Sequence, residues 1–196
     1  MQEYQQQKKI MEQHKISRRG FLGAGILVAA STIIIPNEPA IAAVNKFISP
    51  ERSLSFYNTH TGEKLKAVYS ANGDYLPDAL ADINYLLRDY RTGDIKKIDT
   101  LLLDLLYALK KKLKAREPFQ VISGYRSPKT NAMLARRSSG VAKNSQHLYG
   151  KAVDIRLPEC SLDYLHRAAV SLKAGGVGYY PKSNFVHVDV GRVRYW

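Results

Sequence analysis

From Phe185 to Val190 the chain alternates strictly, with Val186, Val188 and Val190 interleaved with His187 and Asp189. Successive residues of a strand point to opposite faces of its sheet, so alternate residues share a face. One face of this strand must therefore be covered by an apolar layer, while the other carries an imidazole and a carboxylate side by side. Earlier segments can supply the layer. Leu80, Ile83, Leu86 and Leu87 recur at helical spacing within 78–90, and Ile95, Ile98, Leu102, Leu105, Leu106, Leu109 and Leu113 repeat the pattern within 94–115. Gly93 predicts the end of the first helix and Asp94 the N-cap of the second. Lys110, Lys111, Lys112 and Lys114 gather at the second helix's C-terminal end, where the dipole favours cations.

The remaining elements follow from alternation and punctuation. Leu54 and Phe56, then Leu65, Ala67 and Tyr69, flank His60-Thr61-Gly62 and predict a β-hairpin with a solvated turn histidine that is not a ligand. Strands are expected at 119–123, 152–157, 177–180, 185–190 and 192–195, and helices at 129–137 and 161–173, with a polar loop over 138–146. Helices come mostly early and strands late. The expected class is α+β, a mainly antiparallel sheet with helices on one side.

Residues 1–42 read as an address. Arg18 and Arg19 precede an apolar run from Phe21 to Ile35, and Pro39-Ala40-Ile41-Ala42-Ala43 supplies a small-residue cleavage site. The run is short and broken by Gly23 and Gly25, where a spanning helix needs about 20 apolar residues. No stable membrane span is expected after cleavage. Ser17-Arg18-Arg19-Gly20-Phe21-Leu22 resembles the twin-arginine export signal of bacteria. That resemblance implies the twin-arginine translocase as a partner during export, a periplasmic destination, and a mature domain over 43–196.

The formal net charge is +13. The leader's Lys8, Lys9, Lys15, Arg18 and Arg19 are largely offset by Glu3, Glu12 and Glu38, so most of the excess lies in the mature domain. A basic surface attracts polyanions, and charge alone leaves nucleic acid, anionic lipid and cell-wall polymer all open. The single cysteine, Cys160, excludes an intramolecular disulfide and any cysteine-rich zinc site.

His147 ends the polar loop, Asp154 sits on the strand after it with Gly150 allowing a turn between, and His187 lies on the alternating strand. Two imidazoles and one carboxylate suit zinc and leave a coordination position open, as a hydrolytic site needs. On residues alone, strand histidines are more often satisfied core groups. The segment from His147 to Asp154, with six residues between them, resembles the H-x(6)-D signature of a group of zinc peptidases. Ser123-Gly124-Tyr125-Arg126-Ser127, Ser145-x-His147, Gly176-Val177-Gly178 and Phe185-Val186-His187-Val188-Asp189 are similar to the exported, YcbK-like branch of the D-Ala-D-Ala carboxypeptidase family, which has the hedgehog/DD-peptidase fold.

The resemblance covers about residues 50–196 and implies a zinc-dependent murein endopeptidase. Its substrate would be peptidoglycan peptide cross-links and not nucleic acid, with His147, Asp154 and His187 as zinc ligands. Relatives place a general base three residues before the last ligand, or a histidine two before it. Those positions are Asn184 and Phe185 here, and neither can accept a proton. Asp189 is the expected substitute, with orientation of a ligand as its other role. Arg126 is expected as a fixed donor to an anionic intermediate or a substrate carboxylate, or as one half of a turn-stabilising ion pair. Ser123, Tyr125 and Ser145 are placed at the substrate or in the loops around it. The alternative function is a non-catalytic peptidoglycan-binding module of the same fold.

Overall fold

The computed structural model describes residues 50–137 and 142–196. The leader expected at residues 1–42, with Arg18 and Arg19, lies outside the described residues. Strands β1 (Glu51–Asn58) and β2 (Lys64–Ala71) form the expected hairpin, followed by the short β3 (Asp74–Tyr75). Helices α1 (Pro77–Leu86) and α2 (Thr100–Leu113) lead to β4 (Phe119–Ser123), then α3 (Pro128–Arg137) and a single 3-10 turn, Gln146–Tyr149. The chain continues through β5 (Ala152–Arg156), α4 (Leu162–Leu172), β6 (Gly176–Tyr180), β7 (Phe185–Asp189) and β8 (Arg194–Tyr195). Among the described residues no helix is long and apolar enough to cross a membrane.

All eight strands belong to one sheet in the order β3-β2-β1-β4-β5-β7-β6-β8. The class is α+β, but the sheet is mixed, not mainly antiparallel as expected. After the hairpin the chain crosses over through α1 and α2 and returns beside β1, so β4 runs parallel to β1. A parallel neighbour requires such a long crossover, whereas hairpins make antiparallel ones. Strand β8 likewise runs parallel to β6.

The alternation predicted for β7 organises the whole sheet. Leu54, Phe56, Phe119, Val121, Val153, Ile155, Val186 and Val188 share one buried cluster with Ile83 of α1, Leu102 and Leu106 of α2, and Leu165 and Leu172 of α4. Helix α3 contributes no side chain to that core. Its buried Asn131 instead donates to the carbonyls of Ala142 and Lys143.

Helix α2 starts later than expected. Its N-cap is Asp99, whose carboxylate accepts the N–H of Leu101 at 3.0 Å. Residues before it are tied elsewhere: Ile98 N–H donates to the Asn84 side chain and Asp99 N–H to the Gly150 carbonyl. Ile95 fits the helical spacing yet is 56% exposed, so its match to the pattern did not reflect burial.

Candidate metal centre

Register places the site. Asp154 on β5 stands directly opposite His187 on β7. On the outer sides of this pair, Ser123 of β4 faces Asp154 and Gly178 of β6 faces His187. The row crosses the sheet on the face away from the core, because Val153, Ile155, Val186 and Val188 take the other parity.

His147 reaches this row from the 3-10 turn. Ser145 caps that turn, its hydroxyl accepting the His147 N–H, and Gly150 closes it at φ +67°. A side chain at Gly150 would place its Cβ 2.5 Å from the Lys97 carbonyl oxygen, so both the left-handed backbone and the close approach require glycine there. His147 Nδ1–H donates to the Gly124 carbonyl at 2.7 Å, which leaves the Nε2 lone pair facing the row. His187 Nε2–H donates to Asp189 Oδ2 at 2.9 Å and turns its Nδ1 lone pair the same way.

Three donor atoms thus converge. His147 Nε2 is 3.2 Å from both Asp154 Oδ1 and His187 Nδ1, and His187 Nδ1 is 2.8 Å from Asp154 Oδ1. All three residues are buried, and one ligand atom from each lies within 4.8 Å of the others. Burial holds the His147 pKa below its ordinary value, as a neutral ligand requires. Burial alone would raise Asp154, but the two histidines hold its carboxyl well below the ordinary range. Burial would lower His187, yet its hydrogen bonds to Asp154 and Asp189 outweigh that and raise it. The set offers two imidazoles and a carboxylate in one buried cluster, and the fit to a zinc ion with an open position is good.

Asp189 sits behind this set. Its side chain has no solvent exposure. Besides His187, it accepts from both terminal nitrogens of Arg194, at 2.7 and 3.1 Å, and from the backbone N–H groups of Gly176 and Gly191. Burial would raise its pKa, but the bonds from His187 and Arg194 hold it low. Both oxygens are engaged, and the residue does not line the cleft above the row.

Arg126 does line that cleft. Its Nη2 pairs with Asp154 Oδ2, and its Nε donates to Ser123 Oγ at 2.9 Å. Ser123 therefore holds Arg126, and Ser145 both caps the His147 turn and lines the cleft. Tyr125 is not brought to the cleft; its ring packs on the core and its N–H donates to the Leu87 carbonyl. His60 stacks on Tyr90 at 3.9 Å, away from the three donors.

The opposite wall was not anticipated. Tyr180 and Phe185 stack at 4.6 Å, and Trp196 donates its indole N–H to the Tyr180 hydroxyl at 2.7 Å. The indole lies 5.3 Å from the His187 ring, centre to centre. The available signal was parity: Gly178 stands opposite His187 and Tyr180 opposite Phe185, all four on one face, and that register is visible only once β6 and β7 are paired.

Comparison with known proteins agrees with this arrangement. A family described as peptidoglycan L,D-endopeptidase MepK matches residues 47–196. The peptidoglycan L,D-endopeptidase MepK of Escherichia coli strain K12 is 45% identical over 187 residues, covering 95% of this chain and 100% of the relative. A probable peptidoglycan L,D-endopeptidase MepK of Haemophilus influenzae is 44% identical over 170 residues, covering 86% and 90% respectively. A match that takes in every strand, helix and donor described above, together with relatives this similar along nearly their whole length, means that the chain belongs to the peptidoglycan L,D-endopeptidase MepK family.

Proposed function

We propose that this protein is a zinc-dependent endopeptidase that hydrolyses peptide cross-links of peptidoglycan, cutting the L,D linkage for which its relatives are named. The observation that carries this reading is the convergence of His147 Nε2, Asp154 Oδ1 and His187 Nδ1 at the floor of an open cleft. Those three residues hold the metal. A zinc ion bound there supplies Lewis acidity toward a peptide carbonyl and makes water more acidic.

The chain's own groups do the rest. Arg126, fixed by Asp154 and Ser123, presents a permanent cation to the charge that develops on the scissile carbonyl oxygen. Asp189 is assigned the positioning of His187, since its oxygens face away from the cleft and its partners hold it ionised. Ser145 lines the substrate cleft and keeps His147 in place. Residues 43–196 are assigned as the mature domain with a hedgehog/DD-peptidase-like fold, a reading that rests on the resemblance of the His147–Asp154 and Phe185–Asp189 motifs. The leader, residues 1–42, is assigned to twin-arginine export, which delivers the enzyme to the periplasm where the cross-links are.

The test is release of soluble fragments from purified sacculi by the mature protein. Zinc-loaded protein is expected to release them, a chelator to stop release, and added zinc to restore it. His187→Ala should lose both metal and cleavage. Mass analysis of the fragments identifies the bond. Sacculus binding without release, with zinc bound, would leave a non-catalytic binding module instead.

A further inference from the structure

Trp196 is held more firmly than a surface tryptophan needs to be. Its backbone N–H donates to the Val177 carbonyl, and its own carbonyl accepts from Tyr179. Its indole N–H is tied to Tyr180, and the Arg194 guanidinium lies over its ring at 4.9 Å. Beneath the ring is Gly178, where an added Cβ would come within 2.6 Å of the indole carbons. Glycine at that place lets the ring lie flat against the sheet beside His187. Five restraints thus fix the ring, yet the residue stays 48% exposed and its free surface lines the cleft. A rigid, half-bare aromatic face next to metal donors is a platform for apolar substrate surface.

We propose that Trp196 is a specificity-determining residue: its exposed face takes the methylene stem of the diamino acid that bridges the cross-link, and so sets the scissile carbonyl over the metal donors. This rests on the reading of the cleft as an endopeptidase site. The stem is the one extended apolar stretch in a peptide otherwise rich in carboxylates and amides. Arg126 stands on the opposite side of the donors, so the cleft pairs an apolar wall with a cationic one. Trp196 gives its indole N–H to Tyr180 rather than to the metal donors and acts through substrate placement.

Trp196 is the chain's single tryptophan, so its fluorescence reports on the cleft directly. Metal-free protein, in which no turnover is expected, is titrated with a purified cross-linked muropeptide dimer. A saturable change in Trp196 emission is expected; its absence at concentrations that the zinc-loaded enzyme turns over overturns the proposal.

Steady-state kinetics on soluble dimers supply the second measurement, comparing bridging residues with full-length and shortened stems. Trp196→Ala should raise KM about tenfold for the full-length stem, the affinity gained by sheltering about two methylene groups from water. It should leave kcat and zinc content close to wild type and abolish the preference for the longer stem. Gly178→Ala displaces the ring from below and should shift KM in the same direction, while Trp196→Phe retains part of the preference. Unchanged KM and stem preference in both Trp196→Ala and Gly178→Ala, or zinc loss in Trp196→Ala, overturns the proposal. A wild-type protein that binds the dimer with the fluorescence change yet cuts nothing removes the endopeptidase reading and leaves the platform standing.

Discussion

At the scale of single residues, the difference between a base and a positioning group is a matter of direction. Asp189 shares its strand face with His187, which suggested a proton acceptor, but its carboxylate is wedged between His187, Arg194 and two backbone N–H groups. Asp189→Asn should therefore weaken zinc binding about 10–100-fold, the usual cost of losing a carboxylate behind a ligating histidine. Competition against a chelator of known affinity measures it; a base would leave zinc affinity unchanged and lose turnover alone. Arg126→Lys keeps the charge but loses the fork that reaches Asp154 and Ser123 together. It should lower kcat by about 100-fold, as loss of one fixed donor to a developing oxyanion does, with KM within a few-fold, read on a soluble dimer. The three candidate donors were legible because the H-x(6)-D spacing and the Phe185–Asp189 motif resemble those of a zinc peptidase family; strand histidines alone are more often core groups. The hydrogen-bond partners of Asp189 were not legible, since parity says which face a side chain takes but not which neighbour fills the space before it. Trp196 and Tyr180 were invisible for the same reason: only strand pairing brings them beside His187.

At the scale of elements, one carboxylate ties the second helix to the edge of the sheet. Asp104 of α2 pairs with Arg52 of β1 and accepts the hydroxyls of Tyr69 on β2 and Tyr75 on β3. Asp104→Ala strands a largely buried guanidinium and two phenols, and should cost about 3 kcal/mol, read from the urea midpoint. A second carboxylate holds the turn that carries Arg126: Asp89 accepts the backbone N–H groups of Ser127 and Arg91. Burial would raise its pKa, but its hydrogen bonds with Thr130, Ser127 and Arg91 outweigh that and hold it below the ordinary 3.8. A depressed carboxylate stabilises the fold above its unfolded pKa and loses that contribution as pH falls through the lower folded value. The stability gap between wild type and Asp89→Asn should be constant near neutral pH and close below about pH 4, measured by urea unfolding across pH. A gap unchanged to about pH 2 would assign the turn's stability to other contacts. Most elements were readable, because alternation in β1, β2, β5 and β7 and the leucine spacing of α2 reflect real burial. The start of α2 and the parallel pairing of β4 were not. Ile95 mimics a core position while Ile98 and Asp99 give their N–H groups to Asn84 and Gly150, and pairing between residues 63 apart, such as Phe56 and Phe119, leaves no local mark.

At the scale of the whole molecule, charge and cleft divide the work. The formal charge of +13 lies mostly outside the metal cluster, whose Arg126 and Arg194 are already paired with Asp154 and Asp189. Exposed lysines such as Lys66, Lys111 and Lys112 can attract the carboxylate-rich mesh of a sacculus. Attraction of that kind is screened over about 8 Å at physiological ionic strength and about 3 Å at 1 M salt. Contacts inside a cleft floored by buried donors are screened much less. Raising salt from about 50 mM to about 500 mM should therefore weaken sacculus binding about tenfold in a pelleting assay. Hydrolysis of a small soluble dimer should change less than about twofold over the same range, because its binding depends on the cleft. Parallel losses would place the decisive cations within the cleft. No loss in either would mean that the basic surface plays no part in holding the enzyme to the wall, and that affinity resides wholly in the metal row, Arg126 and the aromatic wall across from it.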